Sequence, residues 1–276
     1  MKVVTEILRY VFAIILGLCI FAKLLSAYLG DTFLQEEYVL NKIEESGYYT
    51  KLYDLVYNNF NNYIMQSGFD QSILNDVITI DKLKSDTKII IDNYYKGTSN
   101  EIETDSIYNK INENINNYLS NTNLKADTSS LKKYVGLLIT EYNATIINYS
   151  SASGPIYNAI TMIQRIIAKV DIYSIFGIIV SIIMIIVFSI KRPKKILSGI
   201  GCGCLFMGIL AVYVRHYILG LFNFDVLLLL NQVFTDALQY LLNSFTNTLL
   251  IYEIVFGIIG LFLIVGGNYL QSKTEE

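Results

Sequence analysis

The stretch IYSIFGIIVSIIMIIVFSI, residues 172–190, runs directly into KRPKK, residues 191–195. The first stretch carries no charge at all. About 30 Å of hydrocarbon takes roughly 20 apolar residues to cross as a helix, so 172–190 reads as a transmembrane span. Pro193 stops a helix. Lys191, Arg192, Lys194 and Lys195 around it form the densest basic cluster in the chain. Short links rich in Lys and Arg stay in the cytoplasm, which orients the whole chain.

Reading outward from this point gives the remaining spans. Upstream, the apolar pattern continues without a breaker from Ile156 through Asp171, after Gly154-Pro155. That predicts one helix over 156–190, about 52 Å long at 1.5 Å per residue. Downstream, 196–219 and 248–270 are long enough to span, and so is the N-terminal run 10–29, which is interrupted by Lys23. Four spans put both termini inside. The cytoplasmic pieces are then 1–9 (with Lys2 and Arg9), the basic loop 191–195, and the tail 271–276 with Lys273. The N-terminal run has the basic start of a signal peptide. However, Lys23 lies late in it and Leu25-Ser26-Ala27 is a poor cleavage site, so it is read as an uncleaved span.

The expected fold class is therefore all-α: a polytopic membrane protein of four transmembrane helices. A helical-bundle extracytoplasmic domain, residues 30–171, is inserted between the first and second. Composition agrees. The 276 residues are 53% hydrophobic and only 16% charged, with a net charge of −3, and the mean hydropathy is +0.43. A soluble domain carries about 25% charge. A net negative chain offers nothing to a polyanion, so no nucleic-acid partner is expected. The richness in Ile, Asn, Tyr and Lys, with no Trp, suggests an AT-rich, Gram-positive source.

Within the outer domain, apolar residues recur at helical spacing. One stripe is Leu52, Leu55, Val56, Phe60, Tyr63 and Ile64. A second is Ile107, Ile111, Ile115, Tyr118 and Leu119. A third is Leu131, Tyr134, Val135, Leu138, Ile139 and Tyr142, and a weaker one runs through Leu83, Ile90, Ile91 and Tyr94. Gly68 and Gly97 sit where helices stop. Asp70, Asp105 and Asp127 sit where N-caps belong. The first span is expected to continue as helix from Asp31 toward Glu45. Val77–Ile80 and Lys88–Asp92 are β-branched enough to leave short strands open. From Asp31 to Lys169 there are 17 acidic and 12 basic residues, a net charge of −5. The domain has no cysteine, so it depends on its own core for stability. Asn143-Ala144-Thr145 and Asn148-Tyr149-Ser150 match a glycosylation pattern too short to carry weight.

Residues 220–247 form a second extracytoplasmic segment. Asp225, Gln232, Asp236, Gln239 and Asn243 share one helical face, with Leu227, Leu230, Phe234, Leu238, Leu241 and Phe245 opposite. This amphipathic helix either lies in the interface or packs under the outer domain, the preferred reading. A fifth span is the competing one.

Four ionisable residues fall inside spans at one depth in the outer leaflet: Lys23, Arg215, His216 and Glu253. They read either as a charge cluster lining an ion or substrate path, with Glu253 paired to Arg215 or Lys23, or as snorkelling and structural pairs. Cys202 and Cys204, two apart on a helix, point to different sides and cannot easily grip one ion. With Gly199, Gly201, Gly203 and Gly208 they read as a small-residue packing face, matched by Gly257, Gly260, Gly266 and Gly267. Tyr48, Tyr49, Tyr53 and Tyr57 read as core rather than as a stacking platform. No cofactor and no metal are expected.

There is no phosphate-binding loop, HExxH or GxSxG, so an enzyme is not expected. The function expected is that of an accessory, scaffold or sensory subunit whose outer domain binds a partner or ligand. Its partners are the lipid bilayer and another membrane or envelope protein, and homo-oligomerisation is left open. The alternative is a small transporter or channel subunit using the outer-leaflet charges.

Overall fold

The computed structural model describes residues 2–122, 128–147, 153–221 and 232–272. Every regular element among them is a helix. They are α1 (Lys2–Asp31), α2 (Glu36–Glu45), α3 (Tyr48–Ser67), a 3-10 turn (Gln71–Leu74), α4 (Ile80–Lys96), α5 (Asp105–Thr122), α6 (Thr128–Ile147), α7 (Ser153–Ser189), α8 (Lys195–Leu221) and α9 (Gln232–Ser272). Four of these, α1, α7, α8 and α9, are long and apolar enough to cross a membrane. The chain divides into two compact units. A long-helix unit holds residues 1–35, 163–231 and 238–276, and a short-helix unit holds 36–162 and 232–237.

The short-helix unit is built on the apolar stripes. Leu52, Val56, Phe60 and Ile64 of α3, Ile107, Ile111 and Ile115 of α5, and Val135, Leu138 and Tyr142 of α6 bury together. Tyr63, at the edge of its stripe, is 36% exposed. Local signals end the helices. Gly68 (φ 79°) and Gly97 (φ 68°) close α3 and α4 in the left-handed conformation that costs glycine least. At Gly97 a Cβ would also lie 3.0 Å from the Tyr157 ring. The Thr79 hydroxyl accepts from the Lys82 N–H at 3.2 Å and caps α4.

Asp70 is an N-cap as expected, of the 3-10 turn, accepting from the Ser72 N–H at 2.9 Å. Other expectations are corrected. Asp105 is instead the first residue of α5, and the Thr104 carbonyl before it accepts the first helical bond, from the Tyr108 N–H. Asp127 and Asn148-Tyr149-Ser150 lie outside the described residues. No strand forms among the described residues. Val77 and Ile78 are β-branched because a loop carries them into the core, and Lys88–Asp92 belongs to α4. The Asn114 amide holds that loop, donating to the Ile73 and Asn75 carbonyls at 2.9 and 2.8 Å.

The first span does not continue to Glu45. The terminal carbonyls of α1 are taken by groups that follow it. Leu34 N–H donates to Leu29 O at 3.0 Å, Thr32 Oγ1 donates to Tyr28 O, and Gln35 Nε2 donates to Gly30 O at 2.7 Å. Once these acceptors are satisfied, the helix has an end.

The upstream extension of the second span is present as α7, 37 residues without a break. The segment read as a separate amphipathic helix is, from Gln232 onward, the start of α9, which runs 41 residues into the last span. Residues 222–231, with Asp225, Leu227 and Leu230, lie outside the described residues. Within the short-helix unit, Val233 packs against the core and Asp236 pairs with Lys51 of α3.

In the long-helix unit, glycines set the helix separations. A Cβ on Gly17 of α1 would lie 2.5 Å from the Gly203 carbonyl of α8. One on Gly201 of α8 would lie 2.8 Å from the Gly260 carbonyl of α9. Gly177 of α7 faces the Cys19 sulfur of α1. Such backbone approach gives van der Waals contact without any help from the hydrophobic effect. Cys202 packs on the Ala13–Leu16–Ile185 cluster, and Cys204 is buried.

Candidate functional site

The four intramembrane candidates do not form one cluster of four. Arg215 of α8 and Glu253 of α9 are brought together, Nη2 to Oε2, at 3.0 Å. The α8–α9 glycine contact continues to this level, because a Cβ on Gly208 would lie 3.3 Å from the Glu253 carbonyl. Lys23 of α1 instead pairs with Asp171 of α7. Ser26 also donates to that carboxylate, at 3.3 Å. His216 is exposed and makes no ion pair among the described residues. Lys23 and Arg215 therefore each meet a carboxylate on a neighbouring helix, an arrangement that neutralises charge locally and fixes helix register.

Asp171 was missed as a partner because it reads as the last residue before an apolar run. The signal was present: an acid immediately outside one span, at the same end as a lysine lying inside another.

At the other end of the same unit, Glu6 of α1 gathers the basic residues of the α7–α8 link. Lys195 donates to its Oε1 at 2.5 Å, and Arg192 lies 3.6 Å from the same oxygen. Arg9, only 3% exposed, donates to its Oε2. Lys194 donates to the Leu270 carbonyl near the end of α9 at 2.6 Å. Three of the four residues read as topology determinants, Arg192, Lys194 and Lys195, thus also tie helix ends together.

The short-helix unit carries two polar sites that the periodicity does not name. The first is buried. Asp86 of α4 is 0% exposed and accepts from the Tyr142 hydroxyl of α6 and from Lys82 Nζ, the latter at 2.6 Å. Lys82 also donates to the Glu103 carbonyl at 2.7 Å. Burial, and then the adjoining Asp86 carboxylate, push the Tyr142 phenol far above its ordinary value. Asp86 lies between Leu83 and Ile90 on the buried stripe, so its position in the periodicity could have revealed it.

The second site is open. Asn59, Asn62, Tyr63 and Gln66 of α3 and Glu141 of α6 line a cleft of about 370 Å³. Glu141 accepts from Asn59 Nδ2 at 3.1 Å and from the Tyr63 hydroxyl at 3.2 Å. Among the described residues it has no cationic partner. Its charge, and then its hydrogen bond, raise the Tyr63 phenol above the usual value. Spacing of three, four and seven along α3 puts the amides and the phenol on one face.

The four tyrosines at the start of α3 belong to the core side. Tyr49 is buried, and Tyr48, Tyr53 and Tyr57 pack against the cluster. Burial, with Glu44 nearby, pushes the Tyr49 phenol up to about 12. No family model matches the chain, and neither do curated proteins or solved structures.

Proposed function

We propose that this chain is a non-enzymatic, multi-pass cell-membrane protein with both termini in the cytoplasm. Its short-helix unit is extracytoplasmic and binds a partner or ligand, and the chain serves as an accessory, scaffold or sensory subunit of an envelope complex. The observation that carries this reading is the contrast between the two units. In the long-helix unit Lys23, Arg215 and Glu253 are each engaged by an opposite charge on a neighbouring helix. In the short-helix unit a separate core supports an open polar cleft whose one carboxylate has no cationic partner among the described residues. A recognition surface needs donors and acceptors left open on a rigid support. A transport path through the outer-leaflet charges has less support, because titrating either pair would first have to break it.

The test is photo-crosslinking in cells from Asn62, an exposed cleft residue, followed by mild-detergent purification and mass spectrometry. A stoichiometric adduct that disappears in Glu141→Gln and persists in Glu253→Gln supports the reading. Recovery of the chain alone, or as a homo-oligomer, overturns it and favours self-contained transport. Topology is tested with a cysteine at Thr122 in a background lacking the three native cysteines. Labelling from the cytoplasmic side would reverse the proposed orientation.

A further inference from the structure

The ends of α1, α7 and α8 that meet around Glu6 carry a charge imbalance within a short radius. Arg9, Arg192 and Lys195 all lie within 4.0 Å of one carboxylate. Arg192 and Lys195 approach the same oxygen, so their charged nitrogens are no more than about 6 Å apart. Lys191, next in the chain, is exposed. Glu6 can neutralise one of these cations, and the surplus has no counter-charge among the described residues.

The link is held firmly. Arg192 N–H donates to Ser189 O at 2.8 Å, Lys195 N–H to Arg192 O at 2.9 Å, and Ile196 N–H to Pro193 O at 3.1 Å. Arg192 is 52% exposed and its contact to Glu6, at 3.6 Å, is too long for a hydrogen bond, so its guanidinium fork keeps its donors. Helices long and apolar enough to span a membrane place their ends at headgroup level. A compact cationic surplus at that level matches one chemistry, a phosphodiester monoanion with two free oxygens.

We propose that this end of the long-helix unit binds the phosphate of an anionic phospholipid, with Arg192 and Lys195 sharing its free oxygens and Lys191 adding charge at the rim. Glu6 competes with the lipid for the same cations. It holds them in place when the site is empty and yields Arg192 when the phosphate arrives. This inference does not depend on the outer unit or on which leaflet the link faces.

The test uses the full chain purified in mild detergent and titrated with phosphatidylglycerol or phosphatidylcholine, with bound lipid counted by native mass spectrometry. Wild type is expected to retain phosphatidylglycerol at least tenfold better than phosphatidylcholine. The exposed-residue variant Lys191→Gln/Arg192→Gln should lose that preference. Glu6→Gln should keep or strengthen it, since a competitor is removed. Equal retention of the two lipids by wild type overturns the proposal, as does an unchanged preference in the double variant. Displacement of the lipid by millimolar inorganic phosphate also overturns it, because the site would then take the free ion. The wild-type lipid comparison decides the matter even if a variant folds poorly.

Discussion

Replacing Tyr142 by Phe removes one hydroxyl from the centre of the short-helix unit and leaves its ring in place. In the native chain that hydroxyl donates to Asp86, whose side chain is fully buried and whose other oxygen is held by Lys82. Hydrogen bonds to a charged group are worth about 1.5–3 kcal/mol, and a buried acceptor that loses its donor cannot turn to water instead. The Phe60–Tyr142 edge contact, 6.5 Å between ring centroids, survives the change and offsets none of the loss. We expect a destabilisation of about 2 kcal/mol. Because 1.36 kcal/mol is a factor of ten, backbone amides of α4 and α6 that exchange by unfolding of this unit should exchange about 30-fold faster. Hydrogen exchange read by mass spectrometry resolves α4 and α6 from the long helices, which a whole-chain thermal melt does not. Tyr63→Phe is the matched control. Its hydroxyl also donates to a carboxylate, but at an exposed cleft, and exchange in α3 and α6 should change by less than about threefold. Acceleration below about threefold in Tyr142→Phe, or equal effects in the two variants, would refute the view that burial gives the Asp86 bond its weight.

Three further outcomes follow from the same contacts. Burial alone would raise the Asp92 carboxyl, but the hydrogen bonds it accepts from Lys96 and Lys88, each at 2.9 Å, hold it well below the usual carboxylate range. A carboxyl lowered by folding stabilises above its unfolded value, about 4, and loses that contribution as pH falls through and below it. Measured against the intrinsic amide rate at each pH, exchange in α2, which Glu36 ties to α4 through Lys88 and Lys96, should therefore rise below about pH 4; a constant ratio from about pH 6 to 3 would contradict this. Gly260→Ala puts a Cβ 2.7 Å from the Leu205 backbone nitrogen, so the α8–α9 contact should weaken by about 1–3 kcal/mol in detergent unfolding, and an unchanged midpoint would argue against close packing there. Glu253→Gln strands Arg215, whereas Arg215→Gln/Glu253→Gln removes both charges; the double variant should be the more stable of the two, and additive losses would count against a structural pair.

Much of the fold was legible because helix formation and helix ending are local. The unbroken run from Ile156 onward appears as α7, and Gly68 and Gly97 stop α3 and α4 through their own φ angles. The stripes supplied most of the core of the short-helix unit. Where the reading failed, the deciding group was off the stripe or outside the window. Thr32 and Gln35 end α1 by capturing its carbonyls, a choice that apolar periodicity does not register. Val77 and Ile78 looked like strand because β-branched residues suit both a strand and a buried loop. Asp86 went unnoticed because a stripe is read from apolar residues, and a carboxylate can occupy it only if Tyr142 and Lys82 reach it.

From the sequence alone come the four apolar helices, the basic link between the second and third, and the helical character of the intervening residues. Each depends on properties repeated every 3.6 residues or on charge counted along the chain. Tertiary structure alone decided which charges meet. Lys23 finds Asp171 across 148 positions, Arg215 finds Glu253 across 38, and Glu6 finds Lys195 across 189. Those choices depend on how closely two helices approach and at what rotation, and at Gly17, Gly201 and Gly260 that approach is set by the absence of a side chain, felt only when the partner helix is present.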